Sequence, residues 1–240
     1  MRFLRKLLRP LLVSALRRYP KVAIDALRES VWGDQYSFAA LPEYPQRNFE
    51  DLAWMLASNP TNKALLILEL DEAAFLFRLV RSLPSAQIME IGRCHGGSTF
   101  LFAVASDQAS TITSIDIAPR NDQLLRDVLE KNGLLKKVQL LAGNSHEANT
   151  IDDHYDLVFI DGDHSRAGAF KDYEHWKRAV KPGGYLILHN AAVGRPYAEA
   201  AEGAIWVADK VASEEKKYYR READVGSLAV FIRTNVSWPQ

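Results

Sequence analysis

Residues 90–99 read Glu90-Ile91-Gly92-Arg93-Cys94-His95-Gly96-Gly97-Ser98-Thr99, directly behind the short apolar run Gln87-Ile88-Met89. A strand that ends in an acid, enters a glycine-rich turn and continues into a helix is a nucleotide-cofactor loop. Glycine allows positive φ and close approach of a ligand to the backbone. A helix that begins near Gly97 or Ser98 aims its free N–H groups at that ligand. The spacing then selects among cofactors. A dinucleotide fingerprint needs Gly-x-Gly-x-x-Gly, whereas Gly92 is followed by three non-glycines before Gly96-Gly97.

Outward from this loop the chain alternates. Strand-like runs fall at Gln87–Ile91, Thr111–Asp116, Val138–Ala142, Leu157–Asp161 and Tyr185–Leu188, with helical runs at Ser98–Ser106, Asp122–Asn132 and Gly168–Val180 between them. That rhythm predicts a parallel sheet with helices on both faces. Past Leu188 a helix is expected near 198–211, then a hairpin from Tyr218–Glu222 and Ser227–Arg233 around Asp224-Val225-Gly226. On the N-terminal side, Ala64 to Leu83 is apolar at helical spacing and stops before Pro84. Residues 30–62 carry Pro42, Pro45 and Pro60 among Trp32, Tyr36, Phe38, Tyr44 and Trp54, which reads as irregular cover with one short helix near 48–57. The expected organisation is therefore a cover over residues 1–62 and a cofactor-binding α/β domain over 63–240.

At 240 residues the chain can bury a full core. Its formal net charge is zero, which argues against nucleic acid as a partner of the whole molecule. The charge is uneven, because residues 1–24 hold seven cations and no acid. Phe3, Leu4, Leu7, Leu8, Leu11 and Ala15 share one helical face there, opposite Arg2, Arg5, Lys6 and Arg9. Three readings stay open for this segment: peripheral contact with an anionic membrane through residues 1–20, a homo-oligomer contact, or cover for the domain's own core. Arg9-Pro10 and Arg17-Arg18 interrupt its apolar runs, so it does not read as a signal peptide, and no run approaches the roughly 20 residues of a membrane span. Cys94 is the single cysteine, which excludes an intramolecular disulfide and fits a reducing cytoplasm.

Polar residues gather where the strands end. Asp116 closes the second strand, where a carboxylate can accept hydrogen bonds from both hydroxyls of a ribose. Asn144, after the third strand, reads either as an adenine contact or as a turn residue that serves its own backbone. The run Phe159-Ile160-Asp161-Gly162-Asp163-His164-Ser165 closes the fourth strand, and His189-Asn190 closes the fifth. Pro182 is expected to stop the preceding helix, and Gly183-Gly184 to turn the chain into that fifth strand. Asp161, His164, His189 and Asn190 are thus expected to converge beside the glycine loop.

Glu90-Ile91-Gly92 with Gly96-Gly97-Ser98-Thr99, Phe159-Ile160-Asp161-Gly162-Asp163-His164-Ser165, Lys181-Pro182-Gly183-Gly184 and Val225-Gly226-Ser227-Leu228-Ala229-Val230-Phe231 together resemble the class I methyltransferases that use S-adenosylmethionine (SAM). The closer resemblance is to the macrocin O-methyltransferase-like and cephalosporin-hydroxylase-like subgroup, over roughly residues 65–233. It implies a Rossmann-like, seven-stranded, mostly parallel sheet with helices on both faces and an antiparallel last strand, behind a helical N-terminal extension. By the same resemblance Glu90, Gly92, Gly96, Gly97 and Ser98 hold the methionyl part of SAM, Asp116 its ribose and Asn144 the adenine, with Asp161 beside the cofactor. His164 matches the candidate general base. Asp161, His189 and Asn190 stand where metal-dependent members bind a divalent cation, Mg²⁺ or Mn²⁺, of which Mn²⁺ tolerates imidazole better. The family usually has His-Asp or two acids at the last pair, so His189-Asn190 has less carboxylate than a hard ion such as Mg²⁺ prefers.

The expected function is O-methylation of a hydroxyl on a small molecule or glycan in the cytoplasm. The acceptor proton leaves to His164, or a metal on Asp161 and Asn190 lowers the hydroxyl's pKa. The loop after Asn190, with Arg195, Pro196 and Tyr197, and also Trp206, are expected to wall the acceptor pocket. The rival readings are a non-catalytic SAM-binding scaffold and an NAD-dependent oxidoreductase. The latter would need Gly-x-Gly-x-x-Gly and Tyr-x-x-x-Lys, and neither occurs in a suitable place.

Overall fold

The computed structural model describes residues 38, 43–56, 64–120, 122–192 and 202–239. The expectations for residues 1–24, Trp32, Tyr36, Arg195, Pro196 and Tyr197 lie outside the described residues.

Seven strands form one sheet: β1 Gln87–Ile91, β2 Thr111–Asp116, β3 Val138–Ala142, β4 Tyr155–Ile160, β5 Val180–Leu188, β6 Tyr219–Val225 and β7 Leu228–Arg233. Their order is β3-β2-β1-β4-β5-β7-β6. Strands β1 to β5 pair in parallel, and β7 is antiparallel to both β5 and β6. The chain steps outward from β1 through β2 to β3, then returns to place β4 on the other side of β1. At such a reversal the loops after the two central strands part and leave a crevice beyond their carboxyl ends. The Gly92 loop follows β1 and Asp161 follows β4, so both flank that crevice.

Among the described residues five α-helices pack on the sheet: α1 Leu70–Ser82, α2 Gly97–Ala105, α3 Asp122–Lys131, α4 Arg166–Trp176 and α5 Glu202–Glu214. Side chains alternate across a strand, and here both sets are buried. Ile88, Ile112, Leu157, Phe159, Ile187 and Val230 form one core with α1, α2 and α3. Met89, Ile91, Ile115, Val158, Ile160, Leu186, Leu188 and Phe231 form the other with α4 and α5. Two covered faces explain why the central strands read as continuous apolar runs rather than as alternation. Glu90 has the parity of Ile88, so its carboxylate lies beneath α2.

Three local readings change. Helix α4 ends at Trp176 rather than Val180. The carbonyl of Ala179 accepts the N–H groups of His154 and Tyr155, which draws the chain into the sheet early. Pro182 therefore lies inside the first half of β5, at a register irregularity between Tyr155 and Leu157 of β4, and does not stop a helix. Helix α1 begins only at Leu70, and the preceding segment crosses the start of α2: a Cβ on Gly97 would come within 2.3 Å of the Leu65 carbonyl oxygen. The short helix expected near 48–57 is a 3-10 helix, Glu50–Leu56, that buries Leu52 and Met55.

Candidate active site

The cofactor loop is fixed by its own backbone. Gly92 takes φ +85°, and a Cβ there would lie 2.1 Å from the Asp161 carbonyl oxygen. Gly96 takes φ +87° as the residue capping α2, where a Cβ would press on Leu125 of α3. Packing against neighbouring elements thus accounts for the glycines at 96 and 97, which the sequence alone suggests are there for a ligand. Ser98 shares a hydrogen bond with the Glu90 carboxylate. Asp116 Oδ2 accepts the N–H groups of Arg93 at 3.0 Å and Cys94 at 2.8 Å, and Oδ1 accepts Ala118 N–H at 2.7 Å. Asp116 therefore shapes the loop whatever else it binds.

Glu90 is fully buried. Burial pushes its carboxyl up, and hydrogen bonds from Ser114, Ser98 and Thr99 offset part of that. Its Oε1 has no hydrogen-bond partner among the described residues. An unpaired acceptor buried under the glycine loop is a reason to expect a ligand donor there.

Beyond the crevice, two strand ends meet. Asp161 Oδ1 lies 2.7 Å from His189 Nδ1 and 3.2 Å from His164 Nε2. Burial would raise the Asp161 carboxyl, but the charge of His189 and the hydrogen bonds from both imidazoles outweigh it and hold the group below its ordinary value. His164 reaches this position because Asp163 takes Ser165 N–H at 2.8 Å and Ser165 caps α4 through Gly168 N–H. Gly203 of α5 supports the same turn from behind: a Cβ there would lie 2.4 Å from the His164 carbonyl oxygen.

His189 is 6% exposed. Its Nε2 lies 3.5 Å from Glu72 Oε2, so a carboxylate faces each ring nitrogen. Burial alone would lower its pKa; Asp161 and Glu72 outweigh that and raise it to about 10. Glu72 responds in kind. Burial would raise it, but His189 and the N–H groups of Ser227 and Glu69 bring it down to about 2. Asn190 takes φ +54°, a region asparagine tolerates better than most residues. Its side chain lies 3.2 Å from His189 Nδ1 and 3.4 Å from Ser227 Oγ.

Asn144 caps a short 3-10 turn: its Oδ1 accepts His146 N–H and its Nδ2 donates to Glu147. Of its two readings, the structure displays the turn. Trp206 packs against Phe170 of α4, with the Arg166 guanidinium 4.3 Å from its ring centre.

Residues the sequence reading missed complete the site. Arg93, 2% exposed, grips Asp122 with Nε and Nη2 and donates from Nη1 to the carbonyls of Ser114 and Leu141. Ser145 and His146 both bind the buried Asp172. Glu72 was readable: it is a lone acid on the helical face of Ala73, Leu76, Phe77 and Val80.

Residues 89–191 match the family model described as a methyltransferase domain. Over these residues the chain is similar to methyltransferase domains. A relative from Mycobacterium sp. (strain JLS), provisionally named an O-methyltransferase, is 29% identical over 131 residues, covering 53% of this chain and 59% of that protein. Caffeoyl-CoA O-methyltransferase 1 of Zea mays is 28% identical over 186 residues, covering 72% of this chain and 69% of that protein. The chain thus spans little more than half the length of its mycobacterial relatives. The O-methyltransferase TomG from Streptomyces achromogenes, solved in complex with SAM, superposes with a TM-score of 0.55 at 17% identity over 72% of this chain and 84% of that one. That likeness carries the fold.

A SAM molecule in the crevice would face the Gly92 turn, the N-terminus of α2 and the unpaired Glu90 oxygen. The cluster beyond that loop fits a hard ion such as Mg²⁺ poorly. Asp161, His164 and His189 each bring one donor atom within 4.8 Å of the others, but this set has one carboxylate and two imidazoles, and hard divalent ions prefer oxygen. A metal ligand must also offer a bare ring nitrogen, and His189 faces a carboxylate at each of its two.

Proposed function

We propose that this chain transfers a methyl group from SAM to a hydroxyl of a small molecule or glycan. The observation that carries the reading is His164 and His189 meeting on one Asp161 oxygen, directly beyond the Gly92 loop. SAM supplies the electrophilic methyl group. Gly92, Gly96, Gly97 and Ser98 would hold its methionyl part, with the unpaired Glu90 oxygen available to a cationic donor. Asp116 would keep a lone pair on Oδ1 for the ribose, and the Asn144 turn would border the adenine. His164 would accept the acceptor's proton, oriented by Asp161. His189 is assigned a supporting place behind Asp161 rather than a metal bond, and Asn190 closes that support against Ser227.

In this reading residues 63–240 form the SAM domain and 1–62 its cover. No helix among the described residues is long and apolar enough to cross a membrane. We place the chain in the cytoplasm, with residues 1–20 touching anionic membrane; their deletion should reduce salt-sensitive binding to anionic vesicles and spare SAM binding.

Calorimetry tests the assignment first. SAM and S-adenosylhomocysteine should bind, and NAD should not. Asp116→Ala should weaken SAM binding by about 1–3 kcal/mol, the scale of lost charge-assisted hydrogen bonds. Labelled SAM with pools of hydroxylated acceptors then reports transfer. Binding of NAD in preference to SAM would sink the reading.

A further inference from the structure

The candidate base does not stand alone. It is the outer end of a line of four side chains that begins in the core, on a helix with no part in the cofactor loop. Glu72 of α1 is 1% exposed and lies on a face otherwise made of Ala73, Leu76, Phe77 and Val80. A carboxylate in such surroundings is costly unless its partners are in place. It has three. Oε1 accepts Ser227 N–H at 2.5 Å, Oε2 accepts Glu69 N–H at 2.8 Å, and the same Oε2 lies 3.5 Å from His189 Nε2. The hairpin makes room for it: a Cβ on Gly226 would lie 2.4 Å from Glu72 Oε1.

From His189 the line continues through Nδ1 to Asp161 Oδ1 at 2.7 Å, and from that same oxygen to His164 Nε2 at 3.2 Å. An imidazole ring held at one nitrogen can still swing about it. Held at both, it has one orientation. Asp161 presents that one Oδ1 to both rings, so the orientation of its carboxylate is common to His189 and His164. Asn190 and Ser227 at this end of β5 both belong to the same hydrogen-bonded cluster.

We infer that Glu72 is a positioning residue of this centre: by holding Nε2 of His189 it fixes Asp161, and through the shared Asp161 oxygen it sets the orientation of His164. The inference rests on the reading of His164 as the base, and it extends the centre to a residue that touches neither cofactor nor acceptor. A helix-capping carboxylate with a purely structural role would tie α1 to the β6–β7 turn and do nothing to His164. The two roles therefore separate experimentally.

The full chain labelled with ¹⁵N-histidine gives the readout, because ring-nitrogen resonances report protonation and surroundings without an acceptor. In Glu72→Gln the His189 resonances should move, because Nε2 loses its carboxylate neighbour, and the His164 resonances should move with them although residue 72 does not touch that ring. The double variant Glu72→Gln/His189→Gln should match His189→Gln alone at His164, since the coupling runs through residue 189. Val80→Ala, on the same helix, should lower Tm and leave both histidines at their wild-type positions. Gly226→Ala pushes Glu72 aside without altering a titratable group and should also move His164, which keeps the test open if Glu72→Gln fails to fold. With an acceptor in hand, Glu72→Gln should lower kcat and leave SAM affinity unchanged. His164 resonances that stay at wild-type positions in Glu72→Gln or Gly226→Ala would overturn the inference. Full turnover by His164→Ala would instead overturn the base assignment, while the resonances still report on the coupling.

Discussion

Gly92 and Asp161 meet backbone to backbone, with room between them for a hydrogen and nothing more: a Cβ on Gly92 would lie 2.1 Å from the Asp161 carbonyl oxygen. One contact therefore joins the loop that would cradle the methyl donor to the strand end that would orient the acceptor's base. Gly92→Ala must either strain φ +85° or part the two loops. The left-handed region alone costs an ordinary residue about 1–2 kcal/mol, and displacement of the loops adds to it. We expect a loss of at least about 2 kcal/mol in urea unfolding, and calorimetry should show SAM affinity reduced at least tenfold, which is about 1.4 kcal/mol. Wild-type affinity in Gly92→Ala would mean that the two loops relax independently.

Stability should depend on pH through the buried pair Glu72–His189. The folded pKa of His189 is raised from 6.5 to about 10. The folded protein thus keeps a proton that the unfolded chain releases, so this contribution is full below about pH 6.5 and is lost as pH rises to about 10. Glu72 is brought down from 4.5 to about 2. Its contribution is present above about pH 4.5 and is lost as pH falls toward 2. Both describe one interaction, worth on the order of 3 kcal/mol when counted once. Unfolding free energy should fall between pH 7 and 10, and His189→Gln should remove most of that slope. A slope unchanged by His189→Gln would assign it to other groups.

How much of this was legible in the sequence follows the range of the interactions. Strands β1, β2 and β3 carry their signal in a few contiguous residues, and their ends fall where the apolar runs end. The convergence of Asp161, His164 and His189 was legible too, because parallel strands put their carboxyl ends on one edge whatever the loops do. What escaped depends on distant partners. Pro182 reads as a helix stop, yet Ala179 had already been claimed by His154 and Tyr155. Gly97 reads as ligand space, yet Leu65 crosses it. Arg93 carries no local sign of burial, yet it is buried because Asp122, Ser114 and Leu141 supply its acceptors. No local pattern announces a partner that only the folded chain brings near.

Metal removal should change little. Asp161, His164 and His189 sit close enough to share an ion, but His189 has a carboxylate at each nitrogen and Asp161 is the only carboxylate in the set. We expect protein dialysed against chelator to keep its SAM affinity and its Tm, and added Mg²⁺ to leave both unchanged. A resident ion would show itself by linkage: at 100 times its Kd it would stabilise the fold by about 2.7 kcal/mol. A stoichiometric metal in the purified protein, lost in His189→Gln, would reverse the assignment of His189.

The base prediction is the one closest to the chemistry. His164 lies on the turn after β4, fixed by Asp163 and Ser165 at its foot and by Gly203 behind it, with its Nε2 on Asp161. Those supports are backbone or neighbouring side chains, so His164→Ala should leave the fold and SAM affinity intact. Methyl transfer should fall by roughly 10²–10⁴-fold, the scale of a general base. His175 makes a suitable control. Its Nε2 lies 2.9 Å from the Ala148 carbonyl oxygen, away from Asp161, and His175→Ala should change the rate little. Asp161→Asn distinguishes orientation from proton transfer: it keeps an oxygen for His164 but removes the charge, so it should slow transfer while His164 remains in place. If His164→Ala turns over at the wild-type rate, proximity of donor and acceptor carries the reaction and the histidine only holds the turn.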